Sequence, residues 1–211
     1  MRVSEKVIEG KANYIRYTHI EMESERICFM FSGSGYTYDK PLFYYATMTM
    51  LDNSIDIVHI HYKYETDFLK RPIEEITSAM MDDIHPVLKE VLTSRSYKEI
   101  FLIGKSLGTI PIACSLLKKE EFSHAKAVLL TPLLNFKSVF DGILTSRQQS
   151  LLVIGDKDPH YSSEKMAQLN TAANKTEVVA RANHHLDAGK FETHHSIEAL
   201  SRVMALIEDM L

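Results

Sequence analysis

The stretch Ile100-Phe101-Leu102-Ile103-Gly104-Lys105-Ser106-Leu107-Gly108-Thr109 decides the reading of this chain. Its four apolar residues suit a strand buried on both faces of a sheet, and they run directly into Gly-x-Ser-x-Gly and then a helical stretch. A turn that sharp puts its serine in a strained backbone conformation, and small residues two positions before and after let the helix and a neighbouring strand approach. Gly104 and Gly108 meet that demand, and the helix start points free N–H groups at the serine. Ser106 is therefore the candidate nucleophile, at a turn of the nucleophile-elbow type. Pro111, early in the helix that follows, is expected to distort its second turn without disturbing Ser106.

Outward from this stretch, short apolar runs recur at wide intervals. They are Ile27-Cys28-Phe29-Met30-Phe31, Ile55-Asp56-Ile57-Val58-His59-Ile60, Ala127-Val128-Leu129-Leu130, Leu151-Leu152-Val153-Ile154 and Glu177-Val178-Val179-Ala180. With the run before Ser106 they predict six strands of a mostly parallel sheet. Helical spacing of Ile73, Ile76, Met80, Ile84, Val87 and Val91, and again of Ile197, Leu200, Val203, Ile207 and Met210, predicts a crossover helix and a C-terminal helix, with Pro86 bending or breaking the first near His85. Residues 3–9 and 14–20, separated by Gly10, Lys11, Ala12 and Asn13, read as an antiparallel hairpin at the sheet edge. The expected architecture is one α/β domain over residues 1–211, a doubly wound, mostly parallel sheet of about eight strands with an N-terminal hairpin.

Composition narrows the function classes. Of 211 residues, 45% are hydrophobic, enough for a core that needs no metal or disulfide. The 24 basic and 28 acidic side chains, net charge -4, are spread evenly and form no basic row that could neutralise phosphates, so nucleic acid is not an expected partner. Cys28 and Cys114 sit in apolar runs that suit buried free thiols. The N-terminal segment lacks the apolar stretch of a signal peptide, and no run reaches the roughly 18 residues of a membrane span. A soluble, cytoplasmic protein without a membrane partner is the expectation.

A serine hydroxyl becomes a useful nucleophile only beside a base that accepts its proton, and the base needs a third group to orient it. The segment Gly155-Asp156-Lys157-Asp158-Pro159 places carboxylates just past the carboxyl end of a strand, where open α/β sheets build sites. Asp158 is the candidate orienter, and Asp156 competes as a turn-forming, solvated aspartate. After the next predicted strand, Ala182-Asn183-His184-His185-Leu186 supplies the base. Adjacent histidines cannot both face the serine, and the residues by themselves favour neither. The other histidines, including His59, His61, His194 and His195, read as solvated or capped side chains, and none has metal-ligand spacing. Backbone N–H groups of Leu107 and of Ser34, in the loop Phe31-Ser32-Gly33-Ser34-Gly35-Tyr36, are the candidate oxyanion donors. That loop lacks the Gly-Lys-Ser/Thr ending of a phosphate loop. Tyr36, Tyr38, Phe43 and Tyr44 either line the site or pack helices into the core.

With these pieces in order, the sequence resembles the α/β-hydrolase superfamily, particularly its small lidless esterases and dienelactone-hydrolase-like members, from about Ile27 to the C-terminus. The resemblance implies that Asp158, in Gly-x-x-Asp-Pro, is the acid and that His184 holds the catalytic place in a variant of the Gly-Ala-Asp/Gly-His stretch. His185 remains the alternative base. The chain departs from the pattern at Arg181, where many relatives carry glycine, and at Ser32-Gly33, where His-Gly is usual. Only about 19 residues follow Leu130 before the next strand, too few for a large cap.

The expected activity is hydrolysis of a small-molecule carboxylic ester or thioester through an acyl-enzyme on Ser106, with no metal or organic cofactor. An acyltransferase using the same residues, or a noncatalytic scaffold retaining the fold, is the alternative.

Overall fold

The structure, a computed structural model, describes every residue except 12, 66 and 191. Its strands are β1 (Arg2–Glu9), β2 (Tyr14–Glu21), β3 (Arg26–Phe31), β4 (Asp56–His61), β5 (Glu99–Lys105), β6 (Lys126–Leu130), β7 (Ser150–Gly155) and β8 (Asn174–Val179). Helices α1 (Pro41–Asp52), α2 (Ile73–Ser94), α3 (Thr109–Cys114), α4 (Lys137–Leu144), α5 (Ser163–Leu169) and α6 (Thr193–Glu208) lie between and after them. All the strands join one sheet in the order β1-β2-β4-β3-β5-β6-β7-β8. Pairing is antiparallel for β1 with β2 and for β2 with β4, and parallel from β4 through β8. The mixed α/β sheet with an N-terminal hairpin is thus the one expected, although Ala12, in the hairpin connection, lies outside the described residues.

Strand periodicity sorts the core into two layers. Ile27, Phe29 and Phe31 of β3 meet side chains of α2, α3, α4 and α5, whereas the alternate Cys28 and Met30 meet those of α1 and α6. Both faces of β3, β5, β6 and β7 are covered, which is why those strands read as unbroken apolar runs. The exit from the centre of the sheet is along the strands, and the six parallel strands β3 to β8 end on the same rim. Among the described residues no helix is long and apolar enough to cross a membrane.

Three expectations shift. First, β8 begins at Asn174, three residues before the predicted run. Only β7 pairs with it, so it is half-exposed and its first residues are polar, with the side chain of buried Asn174 facing the Ile143 carbonyl. Second, of the bend or break expected near His85 the break does not occur, since α2 continues through Pro86. Burying Ile76, Met80, Ile84, Val87 and Val91 is worth about 1.5–3 kcal/mol each, which outweighs the roughly 3 kcal/mol of an interior proline. Third, the helix after β5 is short and irregular: a 3-10 turn at Ser106–Gly108 leads into the six residues of α3, and further 3-10 turns follow. The 19 residues from 131 to 149 hold α4 and no cap.

The start of that irregular helix touches β3 directly. A Cβ added to Gly108 would sit 2.0 Å from the Phe31 carbonyl oxygen, so the contact needs a bare Cα. Gly108→Ala should therefore destabilise the fold by about 3 kcal/mol or more. Gly35→Ala meets nothing within 4 Å and strains only a left-handed backbone at φ 68, and should cost about 1 kcal/mol. Urea unfolding of both variants checks the ranking, and equal losses would mean that the Gly108 contact is not close.

Candidate active site

The backbone of Ser106 has φ 51, a left-handed conformation that a residue with a Cβ adopts only when its surroundings enforce it. Here β5 hands over to a 3-10 turn without a linking residue, and the side chain is turned out of the sheet at its carboxyl rim. Ser106 is 8% exposed, shielded yet reachable.

Two loops from the same rim converge on it. The segment after β7 turns immediately, with the Asp158 amide donating to the Gly155 carbonyl at 3.1 Å. The segment after β8 turns at Arg181, whose φ of 60 explains why glycine suits this position in similar sequences; its guanidinium pairs with Glu192 at 2.9 Å. Asn183 then folds the loop back, its side-chain oxygen accepting the amides of His185 and Asp187.

The result is a continuous hydrogen-bonded row. His184 Nε2 lies 2.8 Å from Ser106 Oγ, and His184 Nδ1 lies 2.7 Å from Asp158 Oδ2. The other carboxylate oxygen of Asp158 accepts the His160 amide at 2.8 Å. Burial by itself would raise the Asp158 carboxyl, but the bonds from the His184 ring and the His160 amide outweigh it and hold the group below its usual range. An ionised carboxylate only accepts, so Nδ1 carries the imidazole proton and Nε2 presents its lone pair to the serine hydroxyl.

The competing candidates fall elsewhere. His185 points away and stacks on Tyr36, ring centroids 5.8 Å apart, and burial together with nearby Lys105 lowers its affinity for a proton. Asp156 lies near the Lys157 ammonium at 3.9 Å and has no bond to either histidine.

The loop after β3 closes the other side. The Cα of Gly33 packs beside Ser106, since a Cβ there would lie 3.4 Å from that of Ser106, and Ser34 follows in the turn closed by the Tyr36 amide on the Gly33 carbonyl. Ser32, where histidine is usual in the similar family, is pinned by two tyrosines. Its amide donates to Tyr38 Oη at 3.2 Å, and its carbonyl accepts from Tyr62 at 2.7 Å. Leu107 lies in the first turn of the helix, where amides have no intrahelical partner.

The four aromatic residues read as lining the site or packing helices into the core take different places. Phe43 is wholly buried beneath α1, Tyr44 is half-exposed against Tyr45, and Tyr38 shares its hydroxyl between the Met30 and Ile60 carbonyls. Only Tyr36 borders the cavity of about 400 Å³ that opens between the loops after β3 and β8. Leu42, Leu186, Ile197 and Leu200 also line it, with Lys40 and Asp187 among its polar groups. His59, expected as solvated or capped, is buried, bonded to Thr47 and stacked on Tyr38. Among the described residues no three His, Cys, Asp or Glu side chains are placed to hold a metal ion.

Sequence reasoning missed Tyr62, which holds Ser32 in the loop after β3, His160, whose amide bonds Asp158, and the burial of Lys105. His160 alone had a visible cue, its position two residues after Asp158.

Residues 25–211 match the family model described as an alpha/beta hydrolase domain. No curated protein sequence shows significant similarity to the chain. Solved structures share its fold at low identity. An esterase from Pyrococcus furiosus is 15% identical with a TM-score of 0.70, over 99% of this chain and 92% of that one. Est1E from Butyrivibrio proteoclasticus is 12% identical with a TM-score of 0.72, over 98% and 96%. A dienelactone hydrolase from Anabaena variabilis is 16% identical with a TM-score of 0.72, over 99% and 95%.

The depressed Asp158 carboxyl carries a testable linkage. In the folded chain it releases its proton at lower pH than the unfolded value of about 3.9, so its stabilisation is complete above that value and is lost as pH falls through the folded one. Asp158→Asn should therefore be less stable than the parent at neutral pH, with the gap closing in acid. Urea unfolding across pH measures it, and a pH-independent gap would contradict the account.

Proposed function

The chain belongs to the alpha/beta-hydrolase family, and from that premise we propose that it cleaves a carboxylic ester or thioester by acyl transfer through Ser106. The observation that carries this reading is the unbroken row of Ser106 Oγ, His184 and Asp158, in which an ionised carboxylate calls for the ring proton on the nitrogen that faces it.

In this mechanism His184 Nε2 takes the hydroxyl proton as Ser106 Oγ attacks the substrate carbonyl carbon. The imidazolium that results is stabilised by the Asp158 carboxylate. The amides of Leu107 and Ser34 receive the negative charge that develops on the carbonyl oxygen. Collapse of the tetrahedral adduct breaks the bond to the alkoxide or thiolate, which leaves with the proton from His184. Water then enters, gives a proton to His184, attacks the acyl-enzyme and releases the acid, and the proton returns to Ser106 Oγ.

One substituent of the substrate carbonyl is assigned to the cavity between the loops after β3 and β8, which adjoins the row through Gly35, Tyr36 and His185 although Ser106, His184 and Asp158 do not line it. Its walls, Tyr36, Leu42, Leu186 and Ile197, suit an apolar acyl or aryl group, and its volume suits one of small to medium size.

A fluorophosphonate probe should label purified protein at Ser106, and Ser106→Ala should abolish both labelling and turnover of short-chain nitrophenyl esters. Unchanged turnover would identify another nucleophile. His184→Ala should lower kcat by roughly 10³-fold or more, whereas His185→Ala should act mainly on KM through the cavity wall. The reverse pattern would move the base to His185.

Ile197→Trp, which fills the cavity from α6, should lower kcat/KM for bulky acyl esters roughly tenfold more than for acetates. Equal effects across a graded ester series would place the substrate elsewhere.

A further inference from the structure

Lys105, the residue before the nucleophile, is buried to 1% exposure, a condition that no other lysine or arginine shares among the described residues. Strand alternation puts it on the same face as Phe101 and Ile103, the face covered by α1 and α6, while the reversal at Ser106 turns the next side chain elsewhere. Its ammonium ends beneath the loop after β8. Nζ donates to the main-chain carbonyl of His184 at 2.9 Å and to Thr131 Oγ1 at 3.2 Å, and it lies 4.4 Å from the centre of the Tyr36 ring. One amine thereby joins the ends of β5 and β6, the loop that carries the base and the loop after β3.

We propose that Lys105 is a positioning residue for the base: anchored beside the nucleophile, it holds the His184 carbonyl and so sets the register of the imidazole against Ser106 Oγ. This rests on the reading of Ser106, His184 and Asp158 as the reacting groups. The backbone bonds within the loop run from Leu186 to Asn183, from Asn183 to Asp187 and from Gly189 to Arg181, and they leave the His184 carbonyl to Lys105. The 2.8 Å approach of Nε2 to Ser106 therefore depends on a tether that starts one residue from the serine.

Stability does not account for the amine. Its direct partners are two neutral oxygens and an aromatic face, and burial pushes its pKa down to about 8 although Asp158 and Asp187 oppose the shift. Taking an amine out of water carries a desolvation penalty that bonds to two neutral oxygens largely cancel rather than exceed, so exchange for an apolar side chain of similar length changes stability little. What an apolar residue cannot supply is the N–H donor at the His184 carbonyl.

The test compares Lys105→Met and Lys105→Gln with the parent and with Ser106→Ala. Five quantities are measured: urea unfolding, kcat and KM on a short-chain nitrophenyl ester, the rate of fluorophosphonate labelling at Ser106, and the low-field proton resonance of the His184–Asp158 bond. Lys105→Met should unfold at the same or higher urea concentration and keep KM. Its kcat and labelling rate should fall together, roughly tenfold to a hundredfold, and the low-field resonance should shift or broaden. Lys105→Gln, with a donor one bond shorter, should recover part of the loss. Parent-like kcat and labelling in Lys105→Met would overturn the proposal, as would a loss that only tracks the unfolded fraction. If the parent neither labels nor turns over, the reading of Ser106 fails and this proposal fails with it, whereas a parent and Lys105→Met that label equally fast remove Lys105 alone.

Discussion

The reversal of the chain at Ser106 is the constraint on which the rest of the arrangement depends. β5 lies between β3 and β6 with both faces covered, so its continuation can leave only at the carboxyl rim. A φ of 51 at a residue with a Cβ lifts the serine clear of the sheet, and the bare Cα of Gly108 lets the following turn settle on Phe31. Parallel pairing then does the gathering. Because β3, β5, β7 and β8 end on one rim, Asp158 and His184, separated from each other by 26 positions and from Ser106 by 52 and 78, need only short loops to meet it.

The charges at this rim are ordered rather than paired off. Asp158 is buried, accepts two donors and stays ionised, which assigns the imidazole proton without any choice left to the ring. Lys105, buried nearby, meets neutral oxygens and an aromatic face. An anion thus bonds the ring of His184 and an amine its main-chain carbonyl. His185, one residue on, shares neither partner and is drawn to Tyr36.

The sheet was legible because its central strands are buried on both faces, and such strands must be apolar throughout. β8 was legible only in its second half, since an edge strand with one neighbour does not need that composition. The sharp turn at Ser106 was legible because strand, glycines and helix start all fall within ten residues. The partners of that serine could be narrowed to Asp158 or Asp156 and to His184 or His185, but the residues alone could not choose between the histidines; Asn183 and Arg181 settle the loop through contacts two to eleven residues away. Of the two readings left open for the aromatic residues, packing in the core fits Tyr36 and Phe43, whereas Tyr44, the next position of the helix and about 100° further round, lies outside. Tyr62 and the burial of Lys105 were invisible, since both arise from segments that only the folded sheet brings together.

Backbone strain is concentrated around this rim. The non-glycine residues with left-handed φ are Glu23, Ser54, Ser106, Thr131, Arg181 and Leu186 among those described, and the last four lie just beyond the carboxyl ends of β5, β6 and β8. At about 1–3 kcal/mol each, they make the edge that gathers Ser106, Asp158 and His184 also the most tightly sprung, restrained by the layers beneath. That strain is subtracted from the stability of the fold, so the packed layers have to supply it. Glycine or asparagine at Thr131 or Arg181 would ease the spring, trading a firmer edge for a looser one.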